Sequence, residues 1–157
     1  MKKLAIFTVI LCGFLGGWGS SSVPSCDDEN IKKEVVAMVT SRMKDQLVPR
    51  AVIAAGDAVS RFFLYTYEEY VVLKNTSEDE TEREFAAKVV RFIDELTAKV
   101  TITLKYIRVN QRFDDIQKIE CGGNIFFLKD NDLNTPIIYT LQYTEDDNIY
   151  IEIYGLE

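Results

Sequence analysis

No histidine occurs anywhere in the 157 residues. That absence removes the commonest general base, the Ser–His and Cys–His nucleophile pairs, and most transition-metal sites. Cysteine is scarce: Cys12, Cys26 and Cys121 are the full set. Two or three cysteines without a histidine do not make an ordinary zinc site, so neither metal nor cofactor is expected. No internal repeat of about 20–50 residues and no long low-complexity tract divides the chain. Cations are outnumbered, with 18 Lys and Arg against 25 Asp and Glu and a formal charge of −7. An acidic balance argues against nucleic acid and anionic membrane surfaces, which both attract Lys and Arg.

Long apolar runs are also missing, with one partial exception. After Met1-Lys2-Lys3 the chain is apolar from Leu4 to Leu15, then small and polar from Gly16 to Ser22. A basic start, an apolar core and a small-residue exit form the pattern of a secretory signal. The competing reading is a retained anchor, but spanning a bilayer takes roughly 20 mostly apolar residues. The stretch from Leu4 to Trp18 is shorter and carries three glycines. The expected organisation is therefore a signal peptide over 1–22 and a single domain over 23–157, in the periplasm or outside the cell. Gly17-Trp18-Gly19 or Ser20-Ser21-Ser22 would offer small residues to a peptidase. A lipoprotein signal needs a small residue before its cysteine. Cys12 follows Leu11 and fails; Cys26 follows Val23-Pro24-Ser25 and fits, although a Gly/Ser stretch separates it from the apolar core. A membrane-anchored lipoprotein is thus the alternative, and membrane contact is expected only if Cys26 is lipidated.

Removing such a leader takes away Lys2 and Lys3 and no acid, moving the formal charge from −7 to −9. It also takes away Cys12 and leaves an even pair. In an oxidising compartment that arithmetic favours a Cys26–Cys121 bridge over a lipidated Cys26 with a lone Cys121, or two free thiols.

The apolar spacing changes along the chain. Ile31, Val35, Val39, Met43 and Leu47 recur every four residues behind the acidic Asp27-Asp28-Glu29, which predicts a helix that Pro49 should end. Residues 50–75 are ambiguous. Ala51 to Ala58 reads as a short helix broken at Gly56, whereas 62–67 and Tyr70-Val-Val-Leu73 read as strand; one buried helix is the alternative. Ser77 with Glu80, or Thr81 with Glu84, offers a capping box for a second helix striped by Phe85, Val89, Phe92, Ile93, Leu96 and Val100.

Beyond that helix the period becomes two. Val100, Ile102, Leu104 and Tyr106 alternate with Thr101, Thr103 and Lys105. Residues 116–128 hold the next strand, with Gly122-Gly123 as a bulge or bend. Ile137, Tyr139, Leu141 and Tyr143 alternate with Ile138, Thr140 and Gln142. A turn at 145–148 leads to Ile149, Ile151 and Ile153 on one side of a last strand, with Tyr150, Glu152 and Tyr154 on the other. The fold class is α+β: N-terminal helices packed on one face of a C-terminal antiparallel β-meander. The closing stretch Tyr139-Thr-Leu-Gln-Tyr-Thr-Glu-Asp and Tyr150-Ile-Glu-Ile-Tyr-Gly-Leu156 resembles the tail of small bacterial exported α+β proteins of no known activity. In architecture, helix followed by curved meander is also similar to cystatin-like and NTF2-like domains, folds that host many functions.

Three features are candidates for chemistry. Adjacent carboxylates occur at Glu68-Glu69, Asp94-Glu95, Asp114-Asp115 and Asp146-Asp147. A glycosidase needs two carboxyls facing each other across a bond, one with a raised pKa, and strand neighbours point to opposite faces. Asp130, Asp132 and Asn134 imitate the start of a calcium loop, but Thr135 and Leu141 stand where its glycine and glutamate belong. Tyrosines cluster at Tyr65, Tyr67 and Tyr70, and Tyr150 and Tyr154 share one strand face; tyrosine suits both sheet packing and protein interfaces. The expectation is a non-enzymatic module of the cell envelope that binds a protein partner, with Tyr150 and Tyr154 as its candidate face. A small apolar-ligand carrier and a carboxylate hydrolase are the alternatives.

Overall fold

The structure is a computed structural model that describes residues 25–56, 65–128, 133–144 and 148–155. Its element order is the expected α+β one, with three helices preceding a four-stranded antiparallel sheet. The chain forms two units. One combines the residues up to Met38 with those from Ile102 onward; the other is Val39–Thr101.

The sheet unit begins at Cys26, before helix α1 (Glu29–Ala54). Asp28 caps that helix, its Oδ1 accepting from the backbone N–H groups of Asn30 and Ile31. Ile31 and Val35 are buried, as their spacing predicts. The strands are β1 (Thr101–Phe113), β2 (Lys118–Leu128), β3 (Leu133–Tyr143) and β4 (Ile149–Tyr154), in the order β1-β2-β3-β4. A single 3₁₀ turn, Asp114–Ile116, joins β1 to β2, with Gln117 left-handed at φ 49°. Ile119 pairs with Leu141, and Leu141 with Ile151; Cys121 pairs with Tyr139, and Tyr139 with Ile153. These side chains share one face, where Ile119, Cys121, Ile125, Ile137, Tyr139, Leu141 and Ile151 are all buried. Burying that set removes enough apolar area to define the face as a core.

Cys26 bonds to Cys121 with a Cα–Cα separation of 5.8 Å. The bridge expected from count and compartment is therefore present. It lays the segment before α1 over the buried sheet face, where the Tyr139 hydroxyl donates to the Cys26 carbonyl at 2.7 Å. Burial pushes the Tyr139 phenol up to about 12, with the negative charge of Asp27 adding to it.

In the helical unit, α1 does not stop at Pro49. It runs on to Ala54, with the proline inside. An interior proline costs about 3 kcal/mol. Val48 just before it and Ala51 and Val52 just after it are all fully or almost fully buried, and that burial carries the helix through. Gly56 ends it in the left-handed region at φ 90°, where a side chain would be strained.

Tyr70-Val-Val-Leu73 is helix rather than strand: α2 spans Tyr67–Thr76. Its aromatic and β-branched composition suits a strand, but Thr66 and Glu69 form a capping box that starts a helix. The strand expected at 62–64 lies outside the described residues. Helix α3 (Glu80–Thr97) is capped by Asp79, which accepts from Thr81 N and Glu82 N, and not by Ser77 or Thr81 as the sequence suggests. Ser77 instead donates to Glu82 at 2.6 Å, and its carbonyl accepts from Arg83. Tyr67, Tyr70, Ala86, Val89, Val90 and Ile93 complete a core with Val48, Ala51 and Val52. None of the described helices is long and apolar enough to cross a membrane.

Candidate functional site

Strand alternation divides the sheet into the buried inner face and an outer one. The register places Gly122, Ile138 and Tyr154 in one row across β2, β3 and β4. Glu120, Thr140 and Glu152 form the next row, and Lys118, Gln142 and Tyr150 the third. Tyr150 and Tyr154 are thus on the outer face, partly exposed, with the 41 % exposed Ile138 beside Tyr154. The Tyr154 hydroxyl bonds to Glu152. A neutral phenol can donate to that carboxylate and a phenolate cannot, so the pKa is pushed up to about 12, with burial and the Glu152 charge adding. Tyr154 therefore stays a neutral donor over the physiological range.

The first strand extends this face in a way its alternation does not predict. Leu104 lies on the inner face, since a Cβ at Gly123 would come within 2.8 Å of its Cδ1. Tyr106 should follow it inward. It is instead 71 % exposed, left-handed at φ 55°, with its ring 5.7 Å from that of the outer-face Phe126. The Lys105 ammonium lies 5.3 Å from the same ring. Beyond Tyr106, Arg108 and Asn110 are on the outer face, each 3.0 Å from where a Gly122 Cβ would stand, and Asn110 donates to Glu120. Two successive residues on one side and a switched alternation thereafter are the signature of a β-bulge.

The expected bulge at Gly122-Gly123 is accordingly misplaced. Both glycines keep an unbroken register with β3. What they supply is room: Leu104 fills the space at one and Arg108 at the other, on opposite faces.

Tyr65, Tyr67 and Tyr70 belong to the helical unit instead. Tyr67 and Tyr70 are buried in the helical unit, with Tyr65 packed edge-on against Tyr70 at 5.7 Å. Tyr67 belongs to a cluster that no sequence spacing signalled. Its hydroxyl donates to Asp94 at 2.8 Å, the Lys44 ammonium donates to the same oxygen at 3.1 Å, and that ammonium lies 4.0 Å from the Tyr67 ring centroid. Burial pushes the Asp94 carboxyl up, but the hydrogen bonds from Tyr67 and Lys44 outweigh it and hold the group below its ordinary value. Burial pushes Lys44 down, and its bonds to Tyr67 and Asp94 more than reverse that. Burial raises Tyr67. Each shift favours the charge state that the group ordinarily has at neutral pH.

The adjacent carboxylates among the described residues are used structurally or left in solvent. Glu69 closes the α2 cap, Asp94 binds Lys44, and Asp114 and Asp115 are exposed in the 3₁₀ turn. Asp130, Asp132, Asp146 and Asp147 lie outside the described residues. Among the described residues, no three Cys, Asp or Glu side chains are grouped to hold a metal ion. An open groove of about 360 Å³ in the helical unit is lined by Ala54, Ala55, Lys88, Arg91, Phe92 and Glu95. Its charged walls do not suit an apolar ligand. No protein-family model, curated protein or solved structure matches the chain.

Proposed function

We propose that the chain is an exported, non-enzymatic protein-binding module of the bacterial cell envelope, of immunity, inhibitor or accessory type. The observation that carries the reading is the outer sheet face. It holds the partly exposed Tyr150 and Tyr154 beside the exposed Ile138, while Ile119, Cys121, Ile137, Tyr139, Leu141 and Ile151 of the opposite face are buried. Tyrosine contributes large contact area at low entropy cost together with a polar tip, which is why it is enriched in interfaces. Export is supported by the Cys26–Cys121 bridge, since disulfides persist in oxidising compartments. Lipidation at Cys26 would need the sulfur that this bridge uses, so the bridged form is a periplasmic or extracellular one without an acyl anchor. The carrier reading has less support, because the groove in the helical unit is walled by charge.

Intact mass tests the export half. A chain starting between Gly19 and Val23, with no thiol reactive until reduction, is expected. A chain starting at Cys26 and carrying acyl groups would replace it with the lipoprotein reading. The binding half is tested by cross-linking in envelope extracts. The wild type should capture a discrete partner and Tyr150→Ala/Tyr154→Ala should lose it while keeping the disulfide and far-UV spectrum. Unchanged capture would remove the face from consideration.

A further inference from the structure

The cations of β1 deepen that reading and point to the chemistry of a partner. Residues 101–113 contain Lys105, Arg108 and Arg112 and no acid, in a chain of net charge −7. The bulge at Tyr106 gathers them. Lys105 and Arg108 lie on the outer face by their contacts with Phe126 and Gly122, and Arg112 follows Arg108 and Asn110 at strand period. Without the bulge, Arg108 and Arg112 would follow Leu104 onto the inner, buried face. A left-handed conformation at a bulky residue is strained, and a residue that is 71 % exposed recovers little of that by burial. The strain is retained where it aligns charge.

Among the described residues this strand is also the margin of the sheet, with β2 as its one neighbour. It spans 13 residues with no proline, so its backbone donors are intact. Arg108, Val109, Asn110, Gln111 and Arg112 are all exposed. The other margin differs: β4 has only six residues, and β3 beyond it carries Pro136. Short strands and prolines blunt an edge, whereas the proline-free run of 107–113 beyond the bulge can accept another strand.

We propose that residues 107–113 receive an acidic, extended segment of a partner protein, which pairs with β1 as a fifth strand. Alternate acidic side chains of that segment would lie on the outer face beside Arg108 and Arg112, and its apolar side chains would lie toward Ile107 and Val109. A second copy of this chain is a poor occupant, because pairing β1 with β1 sets cations against cations. The same charges that recruit an acidic strand therefore guard the edge against self-association. The inference rests on the outer face being a protein-binding surface, and it uses the margin opposite to the tyrosines.

The test uses the full, disulfide-bonded chain and a synthetic peptide of alternating Glu and Val. The expected result is saturable binding that weakens with salt, about tenfold or more weaker binding to Arg108→Glu/Arg112→Glu, and slowed amide exchange over 107–113. A control peptide with proline at every second Val position loses backbone donors and cannot hold an unbroken ladder, so it should bind markedly more weakly. The proposal is overturned by absent binding, by equal binding of the proline peptide or of the double variant, or by protection appearing on β4. Binding to phosphatidylglycerol vesicles in place of the peptide would assign the cations to a lipid surface and also overturn it. Tyr150→Ala/Tyr154→Ala should keep the peptide, so failure of the tyrosine face and failure of the β1 edge are separately visible.

Discussion

The helical unit is continuous in sequence, Val39–Thr101, whereas the sheet unit is assembled from two stretches on either side of it. Their means of support differ accordingly. The helical unit depends on local devices, including the Thr66–Glu69 capping box and the Asp79 cap, and on a core contained within one continuous stretch of sequence. The sheet unit must hold Cys26 and Ile31 to strands that begin some 70 residues later or more, and a covalent bond and a buried hydroxyl do that. The lesson is that stabilisation follows sequence separation: local contacts suffice where closure entropy is small, and a cross-link appears where it is large.

The largest expected effect breaks the comparison at its covalent point. Cys26→Ser/Cys121→Ser removes a bridge over a sequence separation of 95, and for a loop of that size the loss is about 4–5 kcal/mol. Denaturant unfolding followed by amide exchange should place the loss in β2, β3 and β4. Equal loss in α2 and α3 would mean that the units unfold as one. Next in size, Tyr70→Ala deletes a fully buried ring packed against Tyr65 and Phe85. About 3–5 kcal/mol should be lost, seen first as faster exchange in α2 and α3, with the disulfide still formed.

A smaller effect separates the hydroxyl from the ring of Tyr139. Tyr139→Phe leaves the Cys26 carbonyl without its buried donor and should cost about 1–2 kcal/mol in the sheet unit, measured by the shift in denaturant midpoint. Leaving the midpoint unmoved would show that water replaces the phenol. The smallest concerns Asp94, whose side chain is 49 % exposed, so its pair with Lys44 is worth under about 1 kcal/mol. Because its folded pKa is lowered, its contribution is present above the ordinary carboxylate pKa and is lost as pH falls through the depressed folded value. Lys44 and Tyr67 are both raised, so their contributions are complete below their unfolded pKa values and are lost as pH rises through the folded ones. Asp94→Asn should flatten the acid limb of stability against pH for the helical unit; an acid limb identical to the wild type would dismiss the pair.

Much of the architecture was legible in spacing. The β3 and β4 alternations hold residue by residue, since one face is buried and a slip would expose Tyr139, Leu141 and Ile151 together. The cysteine pair holds for a similarly simple reason, and the α3 stripe holds over Phe85, Val89, Phe92 and Ile93, whereas Leu96 is exposed and Val100 lies beyond the helix. What was illegible involves competition between local and tertiary terms. Pro49 argues for a helix end, but burial of Val48, Ala51 and Val52 lies in the tertiary structure. Tyr70-Val-Val-Leu73 has strand composition, and the three-residue spacing from Thr66 to Glu69 was the overlooked helix signal. Glycine pairs suggest bulges, yet here they make room for Leu104 and Arg108. The real bulge sits at Tyr106, a good strand former that gives no local sign of a left-handed backbone. For the site, Tyr150 and Tyr154 could be placed on one face by alternation, but the rows that put Ile138 and Glu152 beside them need the register. The Lys44–Tyr67–Asp94 cluster joins three helices and has no linear signature.

The bridge from Cys26 to Cys121 encloses the whole sequence of the helical unit. In an oxidising compartment disulfide formation takes seconds to hours. Helices and small helical units form in microseconds to milliseconds. Residues 39–101 therefore have time to fold before the bond can close, and closure then joins the two flanks of an already compact insert. The cross-link acts in folding as a final latch, and the order of events is written into the position of one cysteine on each side of the helices.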